Sequence, residues 1–111
     1  MSDRNIYYRP EAFGATTVAH AWVEDLSYEY DEFAVWRVGD RFYWASDSGC
    51  SCPIPFEEVT LETAASGTAK DALIDLEAWV ASRSTDHWSG PSPVNCESAR
   101  NALTDLVKQG L

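Results

Sequence analysis

Positive charge is scarce in this chain. Eight Lys and Arg stand against eighteen Asp and Glu, for a formal net charge of -10. A phosphate backbone repels such a surface, so direct nucleic-acid binding is disfavoured. Charge of this sign attracts a basic partner or a cation, and it keeps a chain soluble. Cysteine is sparser still. Cys50, Cys52 and Cys96 are an odd number, and the polar start Met1-Ser2-Asp3-Arg4-Asn5 leads into no apolar h-region. The expectation is reduced thiols in a cytoplasm, not the disulfide framework of an exported domain. Apolar runs are all short of the roughly 20 residues that a membrane helix requires. Repeats and low-complexity tracts are missing too. His20 and His87 are the only two histidines, which limits the candidate general bases.

What the chain does have is apolar and aromatic mass. Of its 111 residues 45% are hydrophobic and 13% aromatic, with five Trp and five Tyr. That suits one domain over residues 1–111, with a core that needs neither disulfide nor metal.

Two runs carry the fold expectation. Phe33 to Val38 and Arg41 to Ser46 are apolar and aromatic, and only Gly39-Asp40 separates them. Such spacing predicts a two-residue hairpin with glycine at the position of positive φ. Pairing Val38 with Arg41 sets Trp36 opposite Tyr43, Ala34 opposite Ala45, Val35 opposite Trp44 and Arg37 opposite Phe42. Both faces are then largely apolar, so the hairpin should be central and covered on part of each face. Ala15 to Val23 reads as a further strand, while Tyr7 to Gly14, with Pro10, reads as a loop or short turn. Asp47 to Phe56, holding Gly49, Pro53 and Pro55, reads as a loop, and Thr60 to Ala65 as a short helical turn. Thr68 with Asp71 resembles a helix cap. Behind it Ala69, Leu73, Leu76 and Val80, flanked by Ala72 and Trp79, form one stripe of a helix to Ser82. Ser84 to Pro93 reads as a loop. A second helix is expected from Val94 to Gln109, with Ala99, Leu103, Leu106 and Val107 on one face and Gly110 as its stop. The class expected is α+β: a small antiparallel sheet of three to four strands with a central hairpin, packed by two C-terminal helices.

Three groups of residues could carry chemistry. Cys50 and Cys52, with Cys96 and His87 or His20, offer soft ligands to a metal such as zinc. Zinc knuckles, however, separate their thiols by two to four residues, and here a single residue intervenes, so no cofactor is expected. A Cys50–Cys52 disulfide would close a strained and labile ring, and neither thiol has a basic neighbour to activate it. Nucleophilic catalysis by Cys50 or Ser51 would depend on His20 or His87 as base. The second group is the acid run Glu24, Asp25, Glu29, Asp31 and Glu32, which lacks calcium-loop spacing and reads as a solvated edge or as a surface for a basic partner. In the third, Tyr7-Tyr8 and Ile54 and Phe56, with Pro53 and Pro55, could offer an apolar recognition patch or simply plug the open ends of the sheet.

The segments Tyr7-Tyr8, Pro10-Glu11, Phe13-Gly14, Val35-Trp36-Arg37, Phe42-Tyr43-Trp44 and Asp47-Ser48-Gly49-Cys50-Ser51-Cys52-Pro53, with Pro55-Phe56-Glu57, resemble a family of small uncharacterised proteins encoded by phages of actinobacteria, mycobacteriophages among them. The resemblance spans roughly the first sixty residues, and the Gly-Cys-Ser-Cys-Pro run is its specific part. It implies a phage origin and expression in the cytoplasm of a bacterial host, and it brings no activity. Together with the charge, the expectation is a phage accessory protein that binds a host protein through an acidic surface, without enzymatic activity. The alternative is a small metal- or thiol-dependent enzyme or sensor centred on Cys50 and Cys52.

Overall fold

The aromatic hairpin is the centre of the fold. In the computed structural model, which describes residues 6–24, 29–50, 59–84 and 94–111, strand β2 (Glu29–Val38) pairs antiparallel with β3 (Arg41–Cys50). Its register is the expected one: Val38 faces Arg41, Arg37 faces Phe42, Trp36 faces Tyr43, Val35 faces Trp44 and Ala34 faces Ala45. Gly39 turns at φ +61°. A side chain there is strained whatever space surrounds it, so Gly39→Val is expected to cost about 1–3 kcal/mol. Gly39→Asn should cost less, because asparagine tolerates the left-handed region. Urea midpoints of the two variants check this, and equal losses would count against the turn geometry.

Strand β1 (Thr16–Val23) pairs with the other side of β2. Two short strands, β4 (Ala65–Gly67) beside β3 and β5 (Val94–Asn95) beside β1, complete an antiparallel sheet ordered β4-β3-β2-β1-β5. The fold is therefore α+β with a central hairpin, as expected, and its three long strands carry these two short edges.

Helices α1 (Ala69–Ser84) and α2 (Glu97–Lys108) cover one face of the sheet. α1 begins in a reciprocal cap: the Thr68 N–H donates to Asp71 Oδ2 and the Asp71 N–H to Thr68 Oγ1, both at 3.2 Å, an aspartate version of the capping box. α2 ends as the Leu111 N–H reaches back to the Leu106 carbonyl and Gly110 to Val107, a Schellman closure. Between helices and sheet lie Ala19, Ala21, Val23, Phe33, Val35, Phe42 and Trp44, against Ala69, Ala72, Leu76, Trp79, Ala99 and Leu103.

The other face is covered by the segment that precedes β1. Ile6, fully buried, packs with Ala15, Ala34 and Trp36, and Tyr7, Phe13, Val38, Ala45, Val59 and Leu61 border them. Pro10–Phe13 form a 3-10 turn. So both faces of the hairpin are buried, as its apolar pattern demands.

Three boundaries differ from the sequence expectation. Asp47 to Cys50 continue β3 and do not begin a loop, because Glu29 to Glu32 supply them with a partner strand. Thr60 to Ala64 do make one helical turn, closed by the Ala64 N–H on the Thr60 carbonyl, but Ala65 already belongs to β4. Val94 and Asn95 are strand and not helix, paired with Val23 and Trp22, so α2 starts only at Glu97.

Candidate functional site

Antiparallel strands bring the end of β1, the start of β2 and the end of β3 to one end of the sheet. Trp22, Glu32 and Asp47 form a row across them, Glu32 lying directly between the other two. Like charges directly opposite one another across strands are unfavourable. Here each carboxylate is held by a phenol. The Tyr7 hydroxyl donates to Glu32 Oε1 at 2.7 Å, and the Tyr30 hydroxyl to Asp47 Oδ2 at 3.2 Å. His20 adds to the first, its Nε2 lying 2.5 Å from the same Glu32 oxygen and 3.4 Å from the Tyr7 hydroxyl.

Glu32 is the buried charged residue of the described chain, at 9% exposure. Burial raises the affinity of its carboxyl for a proton, but the hydrogen bonds from His20 and Tyr7 and the charge of His20 outweigh this and hold it below the usual glutamate range. Burial, the hydrogen bond to Glu32 and the negative charge of that carboxylate push the Tyr7 phenol well above the ordinary tyrosine value. The hydroxyl therefore stays a donor across the physiological range. Around the trio stand aromatic rings: Trp22 beside the His20 imidazole at 5.0 Å and Tyr8 edge-on to Tyr7 at 5.0 Å. Tyr30 lies over Gly49, where a Cβ would come within 3.1 Å of its hydroxyl oxygen. Any larger residue there would have to push that ring aside by a few tenths of an ångström.

A bulge makes this arrangement. Thr17 pairs with Trp36, but Ala19 pairs with Val35, so Val18 is an extra residue. An uninterrupted register would set His20 opposite Phe33, on the helix-covered face. One inserted residue turns it opposite Ala34, on the face of Glu32 and Tyr7.

The acid run expected as one surface is divided. Glu32 is buried among donors, and Asp31, on the adjacent position of β2, faces the other side of the sheet. Glu24 is exposed and accepts from Asn95 Nδ2 at 3.1 Å. Asp25 and the Glu29 side chain lie outside the described residues, as do Ile54 and Phe56. Asp47, which the sequence placed in a loop, joins the acids instead. At the opposite end of the hairpin stand Arg37 and Arg41, flanking a turn that holds Asp40 beside Arg37.

The thiols do not converge in what is described. Cys96 is buried in the helix-side core, while His20 is on the other face. Cys50 closes β3; its side chain, Cys52 and His87 fall outside the described residues. Among the described residues no group of three or more His, Cys, Asp or Glu side chains could hold a metal ion. We expect elemental analysis to find less than one zinc per chain and a chelator to leave the melting temperature unchanged. Stoichiometric zinc with a chelator-dependent melt would reverse this and make Cys50 and Cys52 ligands.

Residues 4–108 match the model of a family described as a domain of unknown function (DUF7574). The chain belongs to this family. No curated protein and no solved structure matches it. Among the described residues, no helix is long and apolar enough to cross a membrane.

Proposed function

We propose that this domain is a phage accessory protein that acts in the cytoplasm of a bacterial host, as a non-enzymatic binding module for a basic host protein. One observation carries the reading: the sheet gathers Glu24, Asp31, Glu32 and Asp47 at a single end, while Arg37 and Arg41, with Asp40 between them, occupy the other. Three of the chain's basic groups are engaged by its own acids, Arg9 by Glu11, Arg37 by Asp40 and Arg100 by Glu77. The resemblance around Gly49 and Cys50 to proteins of actinobacterial phages supports the origin, and net charge of this sign disfavours nucleic acid as the partner.

The test neutralises the other three carboxylates of this end, of which Asp31 has one buried oxygen. Glu24→Gln, Asp31→Asn and Asp47→Asn together should slow association with a partner recovered at low salt. Raising salt should do the same to the wild type, because exposed charges are screened over about 8–10 Å at physiological ionic strength. Glu32 is left intact, since it supports the fold. A partner whose association rate ignores both salt and the triple substitution would sink the proposal.

A further inference from the structure

Trp22 stands between two carboxylates. It faces Glu32 directly across β1 and β2, and Asn95 across β1 and β5. The Asn95 amide donates to Glu24 Oε1, which brings a second negative charge to the β5 side. From Trp22 the aromatic rings continue in a row. The indole lies 5.0 Å from the His20 imidazole, the imidazole 5.5 Å from the Tyr7 ring, and Tyr7 5.0 Å from Tyr8. This row reaches solvent: Tyr8 is 55% exposed, the His20 side chain 31%, and Trp22 and Tyr7 are partly exposed.

Glu32 has bonding capacity left. An ionised carboxylate accepts at both oxygens, yet Tyr7 and His20 meet the same one, Oε1. Those donors keep the carboxyl charged at neutral pH, and 11% of its side chain stays exposed. Glu24 is exposed outright. Ring faces carry negative potential, so indole and carboxylates attract the same kind of guest.

We infer that this row seats an arginine side chain of the basic partner, with its guanidinium stacked on the Trp22 indole and donating to Glu32 and Glu24. A guanidinium is planar and weakly hydrated, so it lies on a ring while its five N–H groups point outward in the ring's plane. A lysine ammonium is compact and strongly hydrated, and it exploits the charge without the stacking. A metal ion lacks ligands here, since among the described residues no group of three or more His, Cys, Asp or Glu could hold one. A second copy of this chain would bring a further formal charge of -10 to an acidic end, and repulsion opposes it. The inference rests on the proposed basic partner and adds which side chain anchors it and on what surface.

NMR of the whole chain tests it, with a capped Gly-Ser-Arg-Ser-Gly peptide as the probe at low salt and neutral pH. We expect shifts at the Trp22 indole N–H and the His20 ring, and intermolecular contacts from the arginine δ-methylene to the Trp22 ring. The matching lysine peptide should bind about three- to tenfold more weakly, the share of affinity that stacking supplies. Trp22→Leu should remove this preference for arginine, and Trp22→Phe, which keeps a ring, should restore part of it. No shift at Trp22, equal binding of the lysine peptide, or arginine contacts only to other rings would overturn the inference. These readings are made on the wild type, so they stand even where a Trp22 variant fails to fold. If a partner recovered at low salt binds folded Trp22→Leu as tightly as the wild type yet still responds to salt and to the triple substitution, the arginine seat fails and the acidic binding reading stands.

Discussion

Glu32→Ala is expected to lower stability at neutral pH by about 1–3 kcal/mol, because it strips the acceptor from two donors on a covered face of the sheet. Tyr7 and His20 both point at the lost Oε1, and the 3.4 Å contact between them is longer than the bonds that Glu32 accepts. Glu32→Gln keeps a carbonyl acceptor and loses the charge, so it should fall between the alanine variant and the wild type. The pH dependence gives a sharper test. The Glu32 carboxyl binds its proton less readily in the folded chain than an ordinary glutamate does. The unfolded state therefore takes up protons first on acidification. The stabilisation is complete above the ordinary glutamate value of about 4.3 and is lost as pH falls through the lower folded value. Urea midpoints should accordingly separate wild type from Glu32→Gln at pH 7 and draw together in acid. Tyr7 has the opposite sign. Its raised phenol contributes fully below the ordinary tyrosine value of about 10 and loses that contribution as pH rises beyond it. Tyr7→Phe should flatten the alkaline limb and leave the acid limb with its His20 component. A midpoint difference for Glu32→Gln that is the same at every pH would show that its charge does not stabilise the fold.

How much of this was legible before any coordinates depends on the range of the interaction. The β2–β3 register follows from two residues, since a Gly39-Asp40 turn leaves no freedom in what faces what. The stripes of α1 and α2 and the Thr68–Asp71 cap are equally local, each written within two turns of helix. The misplaced boundaries are those where a distant partner overrides local preference. Asp47-Ser48-Gly49 is made of loop-type residues, yet Asp31, Glu32 and Tyr30 extend across to them and make them strand. Val94 and Asn95 continue an apparent helix, but Val23 and Trp22 claim them for the sheet. The candidate site is the most non-local feature of all. Tyr7, His20 and Glu32 are separated by 13 and 12 residues, and no spacing rule links them. A register shift of one residue at Val18 decides whether His20 meets Glu32 or the helices, and nothing in Thr16-Thr17-Val18-Ala19 announces a bulge. The run of acids misled for a related reason. Read as a linear string, Asp31 and Glu32 belong together, but the two-residue period of a strand sends them to opposite faces.

Trp36→Ala is expected to produce the largest loss of any single change considered, about 3–5 kcal/mol, the usual cost of truncating a buried tryptophan. Trp36 is wholly buried, yet it is on the face without helices, against Ile6, Ala15 and Ala34. Leu76→Ala, in the helix-side core, is the matched comparison and should cost about 2–5 kcal/mol. Small domains hold only about 5–15 kcal/mol in all, so either variant takes a large share of the total. If the segment from Ile6 to Phe13 is an integral second layer, both variants should unfold in a single transition with the same urea slope as the wild type. The double variant should then lose close to the sum, since the two sites occupy opposite faces and share no partner. A nearly neutral Trp36→Ala would mean that the layer contributes little to cooperative folding. Tyr7 would then be a loosely held lid over Glu32, and the low carboxyl affinity for protons would rest on His20 alone. That outcome is open to direct check, because Tyr7→Phe would leave the acid limb of Trp36→Ala unchanged while shifting that of the wild type.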